Sequence, residues 1–228
     1  MKLNIIINKS SDEYIALKEV ASECSMELCD SGTSVKIKQT AGAMRVYFDG
    51  KEVNIKYPTR SALMRSVGII SRYMKEGVFD ITQSPAFERL GIMIDCSRNA
   101  VMKVSAVKRM CRILALMGYN MMMLYTEDTY ELENYPYFGH MRGRYTKDEL
   151  REIDDYCAML GIELVPCIQT LAHLNAIFRW PYFAKYRDCD DILLAESEHV
   201  YELIDAMLAG MKENIKSPSI NIGMDEAH

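Results

Sequence analysis

The sequence has one tryptophan, six prolines, 12 glycines and four histidines in 228 residues. So little glycine and proline, with no repeat, excludes collagen-like and low-complexity chains. Long apolar runs are missing too, and none approaches the ~20 residues that a membrane span needs. The N-terminus, MKLNIIINKSSDEY, has four apolar residues between Lys2 and Lys9. That is too short for a signal-peptide core, and no small-residue cleavage site follows. Positive charge is not in excess: 27 Lys and Arg face 32 Asp and Glu, a net of −5, so a general nucleic-acid footprint is not expected. None of the seven cysteines forms a Cys-x-x-Cys pair. Cys96, Cys111, Cys157 and Cys167 lie in apolar runs, where thiols act as small hydrophobes. Without an export signal, the expected compartment is a reducing cytoplasm. What is present is 49% apolar and 26% charged residues, an ordinary globular composition that excludes global disorder.

The chain changes character near residues 80–88. Residues 1–84 carry 12 basic and 10 acidic residues, and residues 85–228 carry 15 and 22. The first part reads as strand, loop, strand, strand, helix. Leu3–Ile7 is an apolar strand, and Ser34–Gln39 alternates as a strand does. Met44–Phe48 and Val53–Ile55 form a hairpin closed by Asp49-Gly50. Pro58 precedes a helix at about Thr59–Lys75, stopped by Gly77. This predicts a small α+β domain over 1–84.

From residue 85 the rhythm is strand, helix, strand, helix. Leu90–Asp95 is expected to be buried on both faces. A helix follows at Val104–Met117, then a strand at Met121–Tyr125 and a long insertion over Thr126–Tyr145. Thr146 and Glu149 make a capping box for the next helix, which Gly161 ends. Ile162–Ile168 is a third strand, a second long loop runs through Trp180, and a helix covers about Glu196–Ile215. Ser219–Met224 is the fourth strand. Four βα-type repeats argue for a parallel sheet. A complete (β/α)8 barrel takes roughly 250 residues. Residues 85–228 suit four of its units, so the α/β fold class is expected to be a partial TIM barrel, apparently truncated; a complete four-stranded open domain is the alternative.

In such a barrel, polar residues just past each strand face the active site. Here they are Asp95-Cys96-Ser97-Arg98-Asn99, then Thr126-Glu127-Asp128, then Gln169-Thr170-Leu171-Ala172-His173, then Asp225-Glu226-Ala227-His228. Adjacent carboxylates at a strand end point in different directions. One can stay ionised while like-charge repulsion raises the other, which is what a general acid requires. Tyr135, Tyr137, Phe138 and Trp180 lie in the long loops, where aromatics either stack on a ligand or close a rim. Arg142 and Arg144 are candidates to anchor their own loop to acidic residues. Met224-Asp225-Glu226-Ala227-His228 also has the form of a helicase Walker B strand. That chemistry needs a Gly-x-x-x-x-Gly-Lys-Ser/Thr loop, which the sequence lacks. Asp225, Glu226 and His228 are metal-ligand types without a supporting spacing such as His-Glu-x-x-His, so no metal and no cofactor is expected.

Together these segments resemble glycoside hydrolase family 20, the β-N-acetylhexosaminidases. The resemblance rests on Ile222-Gly223-Met224-Asp225-Glu226, Asp95-Cys96-Ser97-Arg98, the acidic pair Glu127-Asp128, and Pro166 followed by His173. The first 80 residues resemble the small α+β domain that precedes the barrel in that family. The sequence departs from the pattern at Cys167, where the family carries Glu, and at Leu171-Ala172, where it carries Pro-Gly. The resemblance implies an exo-acting, retaining hydrolase in which the substrate's own 2-acetamido oxygen attacks C1. It implies that Asp225 orients the acetamide and Glu226 is the general acid and base. Arg98, Glu127 or Asp128, His173 and Trp180 are the implied substrate-binding residues. The implied partners are N-acetylhexosamine-containing glycans, with no nucleic acid and no membrane. The family's acetamido pocket is walled from later strands, so this chain alone is expected to be inactive and to self-associate through an open half-barrel. Two other readings remain: a non-catalytic carbohydrate-binding relative, and a two-carboxylate β-glycosidase whose nucleophile lies elsewhere.

Overall fold

The computed structural model describes residues 1–227. His228, named above as a possible metal ligand, lies outside the described residues. The chain divides into two compact units.

The first unit comprises Met1–Gly91, Lys108–Met121 and Tyr156–Ile162. Its six-stranded sheet is built from β1 (Lys2–Ile5), β2 (Glu27–Leu28), β3 (Thr33–Gln39), β4 (Met44–Phe48), β5 (Glu52–Tyr57) and β6 (Phe79–Gln83), in the order β2-β1-β3-β5-β4-β6. β1, β2, β3 and β5 run parallel, and β4 is antiparallel to β5 and β6. The Asp49-Gly50 turn forms as expected: Asp49 Oδ1 accepts the N–H groups of Lys51 and Glu52, both at 2.8 Å. Helix α1 (Asp12–Glu23) and α2 (Arg60–Tyr73) pack on each other, burying Leu17, Val20, Leu63, Met64 and Val67. α1, β2 and β6 correct the simpler order expected for this part. α1 was hidden because its buried stripe, Ala16, Leu17, Val20 and Ala21, is half alanine, and its other face is charged. Its start is marked by Ser11, whose hydroxyl accepts the Tyr14 N–H.

The second unit comprises Ile92–Val107, Met122–Asp155 and Glu163–His228. β7 (Gly91–Asp95), β8 (Met121–Tyr125) and β9 (Glu163–Cys167) lie side by side in that order. α3 (Val104–Met117) links β7 to β8 and α4 (Lys147–Leu160) links β8 to β9, the rhythm of a βα barrel. The capping box holds: Glu149 Oε2 accepts the Thr146 N–H at 2.9 Å, and Thr146 Oγ1 accepts the Glu149 N–H at 3.2 Å. The second long loop contains α5 (Asn175–Phe178) and a 3-10 turn over Pro181–Tyr186 before α6 (Glu198–Asn214).

Two expectations for this unit need correction. β7 is not buried on both faces: Met93 points to a face that is left open and is 52% exposed. Residues 219–224 do not form a full strand. They lie parallel to β9 through one bridge, Cys167 to Asn221, with the Asn221 N–H on Pro166 O at 2.8 Å and the Ile168 N–H on Asn221 O at 2.9 Å. Gly223 turns the chain away next, in the left-handed region at φ +53°. A Cβ there would fall within 3.0 Å of Ile168 O, so glycine is required.

Candidate active site

Four chain segments of the second unit end at one polar cluster. After β7, Asp95 Oδ1 accepts the N–H groups of Ser97 at 2.8 Å and Arg98 at 2.9 Å. Asp95 therefore acts as a turn acceptor that sets Arg98. Arg98 Nε then donates to Glu127 Oε1 at 3.2 Å, and its guanidinium lies 5.7 Å from the Tyr125 ring centre. Arg98 Nη2 reaches Tyr125 Oη at 3.5 Å, and more than half of the side chain is open to solvent.

After β8 the chain bends at Glu127 and Asp128, and both carboxylates come to face Arg142. The Glu127 carboxylate is 6% exposed and accepts Ser97 Oγ–H at 2.7 Å and Tyr125 O–H at 3.2 Å. Asp128 is 1% exposed and stands 3.1 Å from Arg142 Nη2, paired by charge without hydrogen-bond alignment. Burial pushes its carboxyl above the usual range, and Arg142 opposes that rise. Arg142 also donates to Ser97 O at 3.1 Å and Ser97 Oγ at 2.7 Å. One arginine thus neutralises two buried carboxylates and ties the 126–145 loop to the end of β7. Arg144 does not anchor to an acid; it donates to the carbonyls of Pro136 and Phe138, closing its own loop.

After β9, Gln169 is buried and bridges two segments. Its Nε2 donates to Tyr125 Oη at 3.1 Å and to Asp225 Oδ1 at 3.3 Å. Tyr125 is pushed up to about 12, by burial first and the Glu127 charge second, so its hydroxyl keeps its proton at neutral pH. His173 sits in the left-handed region, at φ +60°, and Glu226 at φ +54°. These unusual backbones turn the two side chains toward each other. His173 Nε2 lies 3.5 Å from Asp225 Oδ2 and 3.5 Å from Glu226 Oε2.

The two carboxylates of Asp225 and Glu226 therefore have unlike surroundings. Asp225 is held below the usual carboxylate range by its own backbone N–H first, then Gln169, with a smaller contribution from His173. Glu226 has His173 as its near neighbour and is otherwise open to solvent. Cys167, in the strand before Gln169, is pushed up to about 11 by burial and by Asp225, so it is no thiolate at neutral pH.

The loop aromatics sort by depth. Phe138 is fully buried against Tyr130 and Phe183, which removes it as a stacking platform. Trp180 is half-buried, with Tyr137 at 5.5 Å and His140 at 5.1 Å between ring centres. Tyr137 and Tyr182 are 40% and 41% exposed, so this rim shows aromatic edges to solvent. The structure thus brings Arg98 to Glu127, and His173 to Asp225 and Glu226, while Trp180 belongs to the aromatic rim. Sequence reasoning passed over Tyr125, and it placed Gln169 at the rim without giving it a role. Tyr125 and Gln169 stand at strand ends, a position that already pointed to the site. Arg142 was expected to anchor its own loop to acidic residues, and it does so at Asp128 and Glu127, while the path of the loop decides which acids it reaches.

The family model for the glycosyl hydrolase family 20 catalytic domain matches residues 87–228. A β-hexosaminidase of Akkermansia muciniphila is 23% identical over 177 residues, covering 64% of this chain and 36% of that protein. The exo-β-N-acetylglucosaminidase of Vibrio harveyi, solved with N-acetylglucosamine, superposes with a TM-score of 0.80 at 20% identity, over 99% of this chain and 43% of that one. A mutant Streptomyces plicatus β-hexosaminidase, solved with its product, gives 0.80 at 19% identity, over 99% and 55%. These likenesses establish a shared fold, and the chain spans about a third to a half of the length of such relatives.

Proposed function

The chain belongs to glycosyl hydrolase family 20, and from that premise we propose that its clustered strand ends serve an exo-acting β-N-acetylhexosaminidase reaction with retention. The observation that carries this reading is the unequal pair. Asp225 is held ionised by Gln169 and its own backbone, and Glu226 stands beside His173 with its other side free. The substrate is a glycan ending in an N-acetylhexosamine. Its acetamide oxygen attacks C1 and displaces the leaving oxygen, which takes the proton of Glu226. Asp225 holds the acetamide N–H and balances the positive charge that spreads over the cyclised oxazolinium. Glu226, now a carboxylate, takes a proton from water as the water oxygen attacks C1 and the ring reopens. No enzyme carboxylate bonds to the sugar, the exception to two-carboxylate hydrolysis that substrate assistance allows.

Arg98 grips paired sugar hydroxyls, for which a planar guanidinium fork is suited. Glu127 keeps that fork oriented at 3.2 Å. His173 stands 3.5 Å from each carboxylate, and Trp180 contributes from the rim. No cofactor enters the chemistry. The compartment we propose is the reducing cytoplasm. The 228-residue polypeptide alone is silent, because it carries about two-fifths of a relative's chain.

The test is Glu226→Gln in the full-length protein. Substrates with poor leaving groups need the proton and are expected to lose about 10²–10⁴-fold in kcat, the usual size of general acid catalysis. Activated aryl glycosides are expected to lose much less on the first step. Equal losses for both classes would remove Glu226 from the acid role.

A further inference from the structure

We propose that His173, Asp225 and Glu226 form a binding site for a divalent transition-metal ion of the zinc class. The argument starts from distance. His173 Nε2 is buried, with no hydrogen-bond partner among the described residues. It stands 3.5 Å from one oxygen of each carboxylate. That is long for N–H···O, which prefers 2.7–3.2 Å, and one ring N–H cannot point along two directions. Two ligands of a tetrahedral ion with bonds of about 2.0–2.1 Å stand about 3.3–3.4 Å apart. The observed spacing fits the edge of such a tetrahedron better than it fits a hydrogen bond. The three ligand atoms all lie within 4.8 Å of one another, and since two bonds of about 2.1 Å span at most about 4.2 Å, the exposed carboxylates turn inward to close any remainder around one ion.

Ligand chemistry selects the class. One imidazole nitrogen with two carboxylates suits zinc and its neighbours, whereas magnesium and calcium favour all-oxygen shells. Orientation is supplied from behind: Gln169 Nε2 holds the other oxygen of Asp225 at 3.3 Å, as an outer partner does for a metal ligand. The side chains of Asp225 and Glu226 are 62% and 68% exposed and that of His173 13%, so an ion enters from the carboxylate side and keeps water on the rest of its shell. Such an ion occupies both carboxylates of the proposed reaction. Its consequence, inhibition competitive with substrate, rests on that reading; the binding itself does not.

Cobalt(II) titration of the 228-residue chain tests the site, because thiolate ligation gives a near-ultraviolet charge-transfer band that nitrogen and oxygen ligation lacks. One equivalent without that band is expected. His173→Gln and Asp225→Asn should each weaken it by about tenfold or more, since even outer partners of metal ligands cost 10–100-fold. Cys189→Ser, at an exposed thiol, should leave it unchanged. Binding that is dominated by the thiolate band, or unaltered in both ligand variants, overturns the site. Should a variant unfold by circular dichroism, the unmodified chain decides: zinc must shift the His173 imidazole ¹⁵N resonances, and an unmoved His173 overturns the proposal. In the full-length protein, zinc bound at His173 without any N-acetylhexosaminidase activity would sink the proposed function and leave the site standing. Activity with an unmoved His173 would do the reverse.

Discussion

Arg142 shows how one side chain sets the electrostatics of the site. It is 20% exposed and faces Asp128 at 3.1 Å and Glu127 at 3.8 Å, both carboxylates nearly buried. Removing one partner of a buried pair strands the other charge, at a cost of about 3–5 kcal/mol. Arg142→Met is therefore expected to lose about 3 kcal/mol in urea unfolding at pH 7. The pH dependence has a definite sign. Burial already raises Asp128, and without Arg142 it rises further. A group whose folded pKa lies above its unfolded value binds more protons when folded, so stability is regained as pH falls through the folded pKa. The variant should thus recover part of its deficit between neutral pH and the ordinary carboxylate range. A deficit unchanged with pH would mean that Asp128 and Glu127 do not depend on Arg142. Asp225 has the opposite sign: its lowered pKa keeps it ionised below the usual carboxylate range, so it does not set the acid limb of activity. At this scale the sequence was legible where a residue's place follows from its strand. Arg98, Glu127 and His173 follow β7, β8 and β9, and Asp225 and Glu226 follow the segment bridged to β9; the structure brings Arg98 to Glu127 and His173 to both carboxylates. Arg142 was legible as an anchor to acids but not in its reach to Ser97, and Phe138 stood open between a stacking and a rim-closing ring until its depth was known.

Among the elements, the segment at 219–224 matters most, since it delivers both central carboxylates. It is held to β9 by one bridge and by Thr170, whose N–H donates to Gly223 O at 3.2 Å and whose hydroxyl donates to Ile222 O at 2.9 Å. Gly223 makes that approach possible. Gly223→Ala combines a left-handed backbone, costing about 1–2 kcal/mol, with a backbone collision at Ile168 O. We expect a loss of at least about 2 kcal/mol in chemical unfolding, together with loss of the cobalt site. A variant as stable as the parent would show that the segment can shift without cost. The capping box at Thr146 and the hairpin at Asp49-Gly50 were legible because local chemistry alone specifies them. α1 was not, because alanine hides a buried stripe. The short pairing of 219–224 was not either, because pairing depends on neighbours that no local pattern reveals.

For the polypeptide as a whole, the open side of the sheet carries a physical consequence. Among the described residues β7 has a strand neighbour on one side, and Met93, Ile222 and Met224 are 52%, 41% and 58% exposed. Unpaired strand edges with apolar side chains favour pairing between chains. Sedimentation velocity on residues 1–228 is expected to show association that grows with concentration, reduced by Met93→Lys. A monomer at every concentration would contradict this. The fold class was legible at this scale because strand-helix alternation is a global pattern. The way the units divide was less so, since Lys108–Met121 and Tyr156–Ile162 group with the N-terminal residues.

The central claim is that the acetamido group of the substrate is the nucleophile, with Asp225 and Glu226 arranged around it. The most direct test compares hydrolysis of an aryl β-N-acetylglucosaminide and the matching aryl β-glucoside by the full-length protein. The account predicts cleavage of the acetamido sugar alone, since the glucoside has no internal oxygen to attack C1. Cleavage of both at similar rates would contradict it and require an enzyme nucleophile.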